Sequence, residues 1–328
     1  TLCVFGDQAF PVALGGSGAG AFEPVVAAAR LGTGRMVAFG HDGYLAGDVT
    51  ATGNSATLLR NVFGWLSGNK AGAKIGVIGL NGLPAILQSL GLDASLTTAT
   101  KLAGFDVIVP TMGTKWTRAE IDSFLAFVRN GGGLAAAATG WGWASLNSTS
   151  SLMEDFPGNW LLAPAGMVWG GNSLSRTSSL GFATTTAPSP LTPAASALDA
   201  ATATNRALTT AERTQVTATL TAALQSIPAA DTLFLPRLTT TLAASSTAKV
   251  PTPKTPIAVD NILGRLAVAN DFRASSPISN EPSGETVGSV STSSNIATGS
   301  TSTGLTVSMR KIGSVMAADV PGTVMRRA

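Results

Sequence analysis

Between residues 75 and 138 short apolar runs alternate with stretches of helical periodicity, and this alternation limits the chain more than any other feature of its sequence. Ile75 to Gly79, Phe105 to Pro110 and Leu134 to Ala138 read as short apolar strands. Leu83 to Leu90 lies between the first two as a short helix that stops at Gly91. Ahead of the third, Thr117 and Glu120 form a capping box in front of Ile121, Phe124, Leu125 and Val128. That predicts a helix from about Arg118 to Asn130, ended by Gly131-Gly132-Gly133. Strands and helices alternating at these lengths imply an α/β fold, with a parallel sheet flanked on both faces by helices.

On the N-terminal side, Leu2-Cys3-Val4-Phe5 and Ala9 to Leu14 are strand-like, and Gly15-Gly16-Ser17-Gly18 makes a turn, so a hairpin or small sheet is expected. Met36 to Gly40 reads as a buried strand that delivers His41 and Asp42, and Leu58, Leu59, Val62, Phe63 and Leu66 recur on one helical face. After Trp169 the texture becomes Ser/Thr/Pro-rich. A second capping box, Thr209 with Glu212, opens a helix carrying Val216, Leu220, Leu224 and Ile227, closed by Pro228. Ala243 to Pro256 reads as a linker, Ile257 to Val268 as a helix, and Ser275 to Thr303 as flexible or lightly patterned β sequence. The 328 residues divide accordingly into a small β-rich segment with its connecting helix (1–70), an α/β domain (71–175), a Ser/Thr/Pro-rich linker with helices (176–270) and a Ser/Thr/Gly-rich region (271–328) that reads as the start of an accessory domain.

Charged residues are only 12% of the chain and the net charge is +3, so the surface is neutral and rich in hydroxyls. A clustered pair of bases such as Arg326 and Arg327 is too small to track a phosphate backbone, and nucleic acid is not an expected partner. The single cysteine, Cys3, excludes an internal disulfide and a thiolate metal cluster; it reads as a buried strand residue. No signal peptide is visible, which a trimmed exported chain would share, and no apolar run approaches the ~18 residues of a membrane span.

His41 is the sole histidine. A zincin motif needs two imidazoles one helical turn apart, so no such site exists within these residues. His41 beside Asp42 suits either a base oriented by a carboxylate or a hydrogen-bonded residue at a strand end. No G-x-S-x-G elbow is present, and the turn after Leu134 to Ala138 reads Ala138-Thr139-Gly140-Trp141. Thr139 is the one hydroxyl there that a neighbouring base would make nucleophilic. No catalytic residue, metal ligand or cofactor is expected. Four of the six tryptophans, Trp141, Trp143, Trp160 and Trp169, fall within thirty residues, and exposed indoles make stacking platforms for sugars or anchors for a protein. These four, with His41, are the candidate binding residues.

Arg30-Leu31-Gly32-Thr33-Gly34-Arg35-Met36-Val37, His41-Asp42-Gly43-Tyr44-Leu45, Asn130 to Leu134, Thr139-Gly140-Trp141-Gly142-Trp143-Ala144, and Asp155 to Asn159 with Ala165-Gly166-Met167-Val168 occur in one order. Together, over about residues 1 to 170, they resemble the N-terminal half of the TCAF family, which joins vertebrate channel-associated factors to bacterial enhancin-like, mucin-degrading gluzincin metallopeptidases. The resemblance implies a small β segment followed by a class I glutamine-amidotransferase-like (flavodoxin-like) domain, with Ala138 and Thr139 where an amidotransferase has its cysteine. It implies a peptidase domain further downstream in such proteins, with no catalytic or zinc-ligand residue carried over here.

The expectation is therefore a non-catalytic binding and positioning portion of a secreted, cell-surface or periplasmic bacterial metallopeptidase-type protein. Its partner would be a glycan or O-glycosylated, mucin-like protein, alongside a downstream peptidase domain. The alternatives are an amidohydrolase-like enzyme using Thr139 with His41, and a structural surface or filament subunit.

Overall fold

The computed structural model describes residues 1–18, 20–185, 187–203 and 207–245, with the backbone of two further strands. In chain order the elements are β1 (Leu2–Val4), β2 (Ala9–Gly18), β3 (Ala21–Leu31), β4 (Gly34–Phe39), a 3₁₀ turn (Asp42–Leu45), α1 (Gly47–Thr50), α2 (Ser55–Leu66), β5 (Lys74–Ile78), α3 (Leu83–Ser89), β6 (Asp93–Leu96) and β7 (Val107–Pro110). Then follow α4 (Arg118–Arg129), β8 (Gly133–Ala137), α5 (Gly140–Leu146), α6 (Pro157–Leu162), a 3₁₀ turn (Ala163–Ala165), β9 (Met167–Trp169), α7 (Ala194–Thr202), α8 (Thr210–Ser226), α9 (Leu235–Ser245) and a hairpin of β10 (Ile296–Ser300) and β11 (Thr306–Arg310). The predicted helix Ile257 to Val268 and most of Ser275 to Thr303 lie outside the described residues.

A seven-stranded, mostly parallel sheet in the order β2-β3-β4-β8-β7-β5-β6 forms the centre. β2, β3 and β4 are antiparallel, while β4, β8, β7, β5 and β6 run parallel. Because β4 pairs with β8, from Arg35↔Gly133 to Phe39↔Ala137, the N-terminal hairpin and the later parallel strands are one sheet. The boundary drawn from sequence at residue 70 thus does not coincide with any break in the hydrogen bonding. Chain proximity suggested a separate small sheet; the long reach from β4 to β8 is a tertiary pairing that no local pattern encodes.

Period-two alternation explains the short continuous apolar runs. Val37, Phe39, Val107, Val109, Ala135 and Ala137 pack on one face with Leu58, Leu59, Val62 and Phe63 of α2. Met36, Ala38, Ile108, Leu134 and Ala136 pack on the other with Ile121, Phe124, Leu125 and Val128 of α4. Both predicted capping boxes form: Thr117 Oγ1 accepts from Glu120 N–H and Thr209 Oγ1 from Glu212 N–H, with each glutamate returning the bond.

A second, two-stranded sheet pairs β1 with β9 antiparallel, Leu2 opposite Trp169. Cys3, Phe5 and Val168 meet Leu198 of α7, Val216, Leu220 and Leu224 of α8, and Phe234 in a third core cluster. Close backbone approach fixes this sheet. Gly166 has φ +79°, and a Cβ there would lie 2.3 Å from Gly6 Cα.

Candidate functional site

A cleft of about 550 Å³ opens at the carboxyl ends of the parallel strands. Asp42 follows β4, Leu80 follows β5, Thr111 and Met112 follow β7, and Ala138 and Thr139 follow β8; all line it. The strand order reverses beside β5, since α3 carries the chain outward to β6 and the next strand returns to the opposite side, as β7. Diverging connections leave a crevice above such a switch point, which is where open α/β sheets bind ligands.

Three indoles form the walls. Trp116 is anchored at the end of β7 by its Nε1–H, which donates to Thr111 O at 2.7 Å, and its ring meets Phe124 edge-on. Trp143, on α5, packs against the buried Phe156 with ring centroids 5.0 Å apart. Trp160, on α6, donates Nε1–H to Glu154 O at 2.6 Å, and the Arg118 guanidinium lies 3.7 Å from its ring centroid. With the N–H groups of Trp116 and Trp160 satisfied by backbone carbonyls, these two rings offer the cleft hydrocarbon surface, not donors. Leu146, 87% exposed, sits at the rim.

Asp42 supplies the polar end. Its Oδ1 accepts from Thr139 Oγ1 at 3.1 Å and from Gly43 N–H at 3.1 Å, and His41 Nδ1 lies 2.7 Å away. Gly43 N–H is also 3.0 Å from His41 Nδ1. A nitrogen cannot accept that hydrogen while donating to the carboxylate, and so short a contact with an anionic oxygen places the proton on Nδ1. The hydrogen bond from His41, more than the charge of the imidazole or the bond from Thr139, holds the Asp42 carboxyl below its ordinary value despite partial desolvation.

The order is therefore hydroxyl, carboxylate, imidazole. Thr139 Oγ1 and His41 Nδ1 both approach Asp42 Oδ1, at 3.1 and 2.7 Å, and the Thr139 hydroxyl donates to that carboxylate rather than to the imidazole. The group beside the Thr139 hydroxyl is a carboxylate of depressed basicity, and the imidazole's Nδ1 is engaged on its far side. A catalytic triad has the imidazole in the middle. Among the described residues no three His, Cys, Asp or Glu side chains group as metal ligands would, and no helix is long and apolar enough to cross a membrane.

The five residues singled out from sequence separate. Trp143 and Trp160 line the cleft, and His41 acts on it through Asp42. Trp141 is half-buried beside the lining without contributing to it. Trp169 is a core residue and no contact surface: it is fully buried, its Nε1–H donates to Phe39 O at 2.8 Å, and Asn159 Oδ1 accepts from its backbone N–H. Clustering along the chain failed for Trp169 because β9 turns it inward under the sheet. Sequence reasoning missed Trp116, although it follows the strand at Phe105 to Pro110, where the ends of parallel strands carry sites.

The family described as TRPM8, N-terminal domain (TCAF_N) matches residues 1–179. A TRPM8 channel-associated factor homolog of Danio rerio is 30% identical over 175 residues, which is 53% of this chain and 17% of that protein. TRPM8 channel-associated factor 2 of Homo sapiens is 33% identical over 171 residues, 51% of this chain and 17% of that protein. The chain thus spans about a sixth of the length of the relatives it matches. Among solved structures, the IMPa metallopeptidase from Pseudomonas aeruginosa is similar at 19% identity with a TM-score of 0.39, over 51% of this chain and 19% of that one. The same enzyme has been solved in complex with an O-glycopeptide.

Proposed function

The chain belongs to the TCAF N-terminal family, and from that premise we propose that it is a binding and positioning module whose strand-end cleft takes a carbohydrate carried on an O-glycosylated protein. One observation carries the reading: Trp116, Trp143 and Trp160 wall a cleft whose floor presents the oriented carboxylate of Asp42. A sugar ring has apolar C–H faces that stack on indoles and hydroxyls that donate to a carboxylate, so this pairing of surfaces suits it. Asp42 Oδ1 takes up Thr139, Gly43 and His41, which orients the carboxylate for an incoming hydroxyl.

Within this reading the sheet is an amidotransferase-like ground plan, with Ala138 and Thr139 at the turn where a nucleophile would stand. The carboxylate between Thr139 and His41 favours holding over cutting. The chain is the front portion of a secreted metallopeptidase-type protein, bringing glycosylated substrates to a downstream peptidase domain.

Glycan-array and mucin-binding measurements test it. Trp116→Ala and Trp143→Ala together are expected to weaken binding at least tenfold, at about 1 kcal/mol for each stacking indole. Trp141→Ala, outside the lining, serves as the control. Unchanged binding in the double variant, or no carbohydrate bound by the wild type, removes the reading.

The names of the relatives favour a second function, association with a membrane channel, and Leu146 at the rim is the apolar residue such a contact would cover. Co-purification with a channel that Leu146→Asp abolishes, while glycan binding is absent, is its signature.

A further inference from the structure

Each indole of the main cleft is backed by a second group, and one of the three backings differs in kind. Trp116 meets Phe124 edge-on with ring centroids 5.2 Å apart, and Trp143 meets Phe156 at 5.0 Å. Both phenylalanines are fully buried, so these two indoles rest on the hydrophobic core. Trp160 carries the Arg118 guanidinium instead, 3.7 Å from its ring centroid, and among the described residues no aromatic ring packs against it.

The reason lies behind the ring. Trp160 also lines a second cleft of about 370 Å³, and Arg118 lines this second cleft but not the first. A phenylalanine in its place would leave an apolar ring facing open space. A guanidinium lays its flat face on an indole while the N–H groups at its edges stay in water. Arg118 is exposed, and among the described residues it forms no salt bridge, so the indole is the contact that holds it.

A second anchor sits at the edge of the same ring. Trp160 Nε1–H donates to Glu154 O, and Glu154 Oε1 accepts from Ala229 N–H at 2.9 Å, in the turn between α8 and α9. Glu154 is thereby tied to the C-terminal helices and does not follow the ring. A ring held at one edge can still tilt about that bond; a cation stacked on its face removes the tilt. Binding against a mobile ring costs the ordering of that ring, and a wall ordered in advance avoids this cost.

We infer that Arg118 is a positioning residue of the cleft: it touches no ligand and acts through Trp160, fixing the plane of the indole on which a sugar stacks. Its effect on binding rests on the carbohydrate reading above, whereas its effect on the ring rests on the contact alone.

Two measurements keep these apart. In the intact chain labelled with fluorotryptophan, the Trp160 fluorine resonance, assigned by its loss in Trp160→Phe, is expected to shift and broaden in Arg118→Ala while those of Trp143 and Trp169 stay in place. Affinity for a desialylated, unsulfated mucin, which offers Arg118 no charge to pair with, is expected to fall roughly two- to fivefold in Arg118→Ala. Arg118→Lys, which keeps a cation over the ring, recovers part of that loss. In a Trp160→Ala background Arg118→Ala changes affinity no further, the non-additivity that action through one ring requires. A Trp160 resonance unmoved by Arg118→Ala, or losses that add in the double variant, overturns the inference and leaves the carbohydrate reading standing. A wild type that binds no carbohydrate removes that reading, and the fluorine signal then decides the inference by itself.

Discussion

The side-chain amide of Gln215 hydrogen-bonds both backbone groups of Phe22, accepting from its N–H at 2.9 Å and donating to its carbonyl at 2.8 Å. Phe22 lies near the start of β3, where β4 no longer reaches, so the amide of α8 completes the pairing that a strand would otherwise provide. The same Nε2 donates to Thr219 Oγ1, which in turn donates to Leu191 O. One buried glutamine therefore ties the C-terminal helices to the edge of the central sheet.

Gln215→Ala removes both bonds from Phe22 and is expected to cost about 1–3 kcal/mol. Urea denaturation reads this as a lower midpoint at unchanged slope. A midpoint equal to wild type shows that water replaces the amide without loss.

Asp42 makes stability depend on acid. Its folded value lies below the ordinary 3.8, so the stabilisation it provides is complete above that value and fades as pH falls through the depressed one. Wild type and Asp42→Asn should differ in Tm at neutral pH and converge in strong acid. A difference that persists once the carboxyl is protonated shows that geometry, not charge, is what the substitution disturbs.

Gly166→Ala combines a left-handed backbone with a Cβ set 2.3 Å from Gly6 Cα, and neither neighbour is a side chain that can swing away. Phe5 and Gly6 both donate their N–H groups to Gly166 O, so displacement also strains the β1–β9 junction. A loss of about 1–3 kcal/mol is expected in thermal or urea unfolding. The isosteric control is Gly72→Ala, also left-handed but with open space at the Cβ, which should cost less.

Cys3 is a free, buried thiol and is expected to react slowly in the folded protein. Burial, reinforced by the charges of Glu23 and Asp231, pushes its thiol far above the ordinary value, so little thiolate is available to react. A thiol reagent at neutral pH should label it about 10³-fold more slowly than in denaturant, limited by opening of the core. Rapid labelling of native protein would mean that the β1–β9 sheet opens by itself.

Part of the local order was legible in the sequence, although Gly15-Gly16-Ser17-Gly18, expected as a turn, continues β2 as strand. Thr117 with Glu120 and Thr209 with Glu212 start helices where their side-chain chemistry says they must, because a cap acts within one turn. The apolar runs at 75–79, 105–110 and 134–138 give strands buried on both faces, since the alternation needed to expose one face is missing. The lone histidine and the absent serine elbow likewise set limits on chemistry that no folding could lift.

Tertiary structure alone decided how those pieces meet. Pairing of β4 with β8 joins residues about a hundred apart and brings Asp42 to Thr139, a distance over which sequence carries no register. It sent Trp169 into the core while leaving Trp143 at the cleft, although both belong to one run of tryptophans, because strand direction and packing, not spacing along the chain, decide which way a side chain faces. It also set the Arg118 guanidinium of α4 over the indole of Trp160 on α6, and placed Trp116, which the sequence did not single out, on the same cleft wall as Trp160.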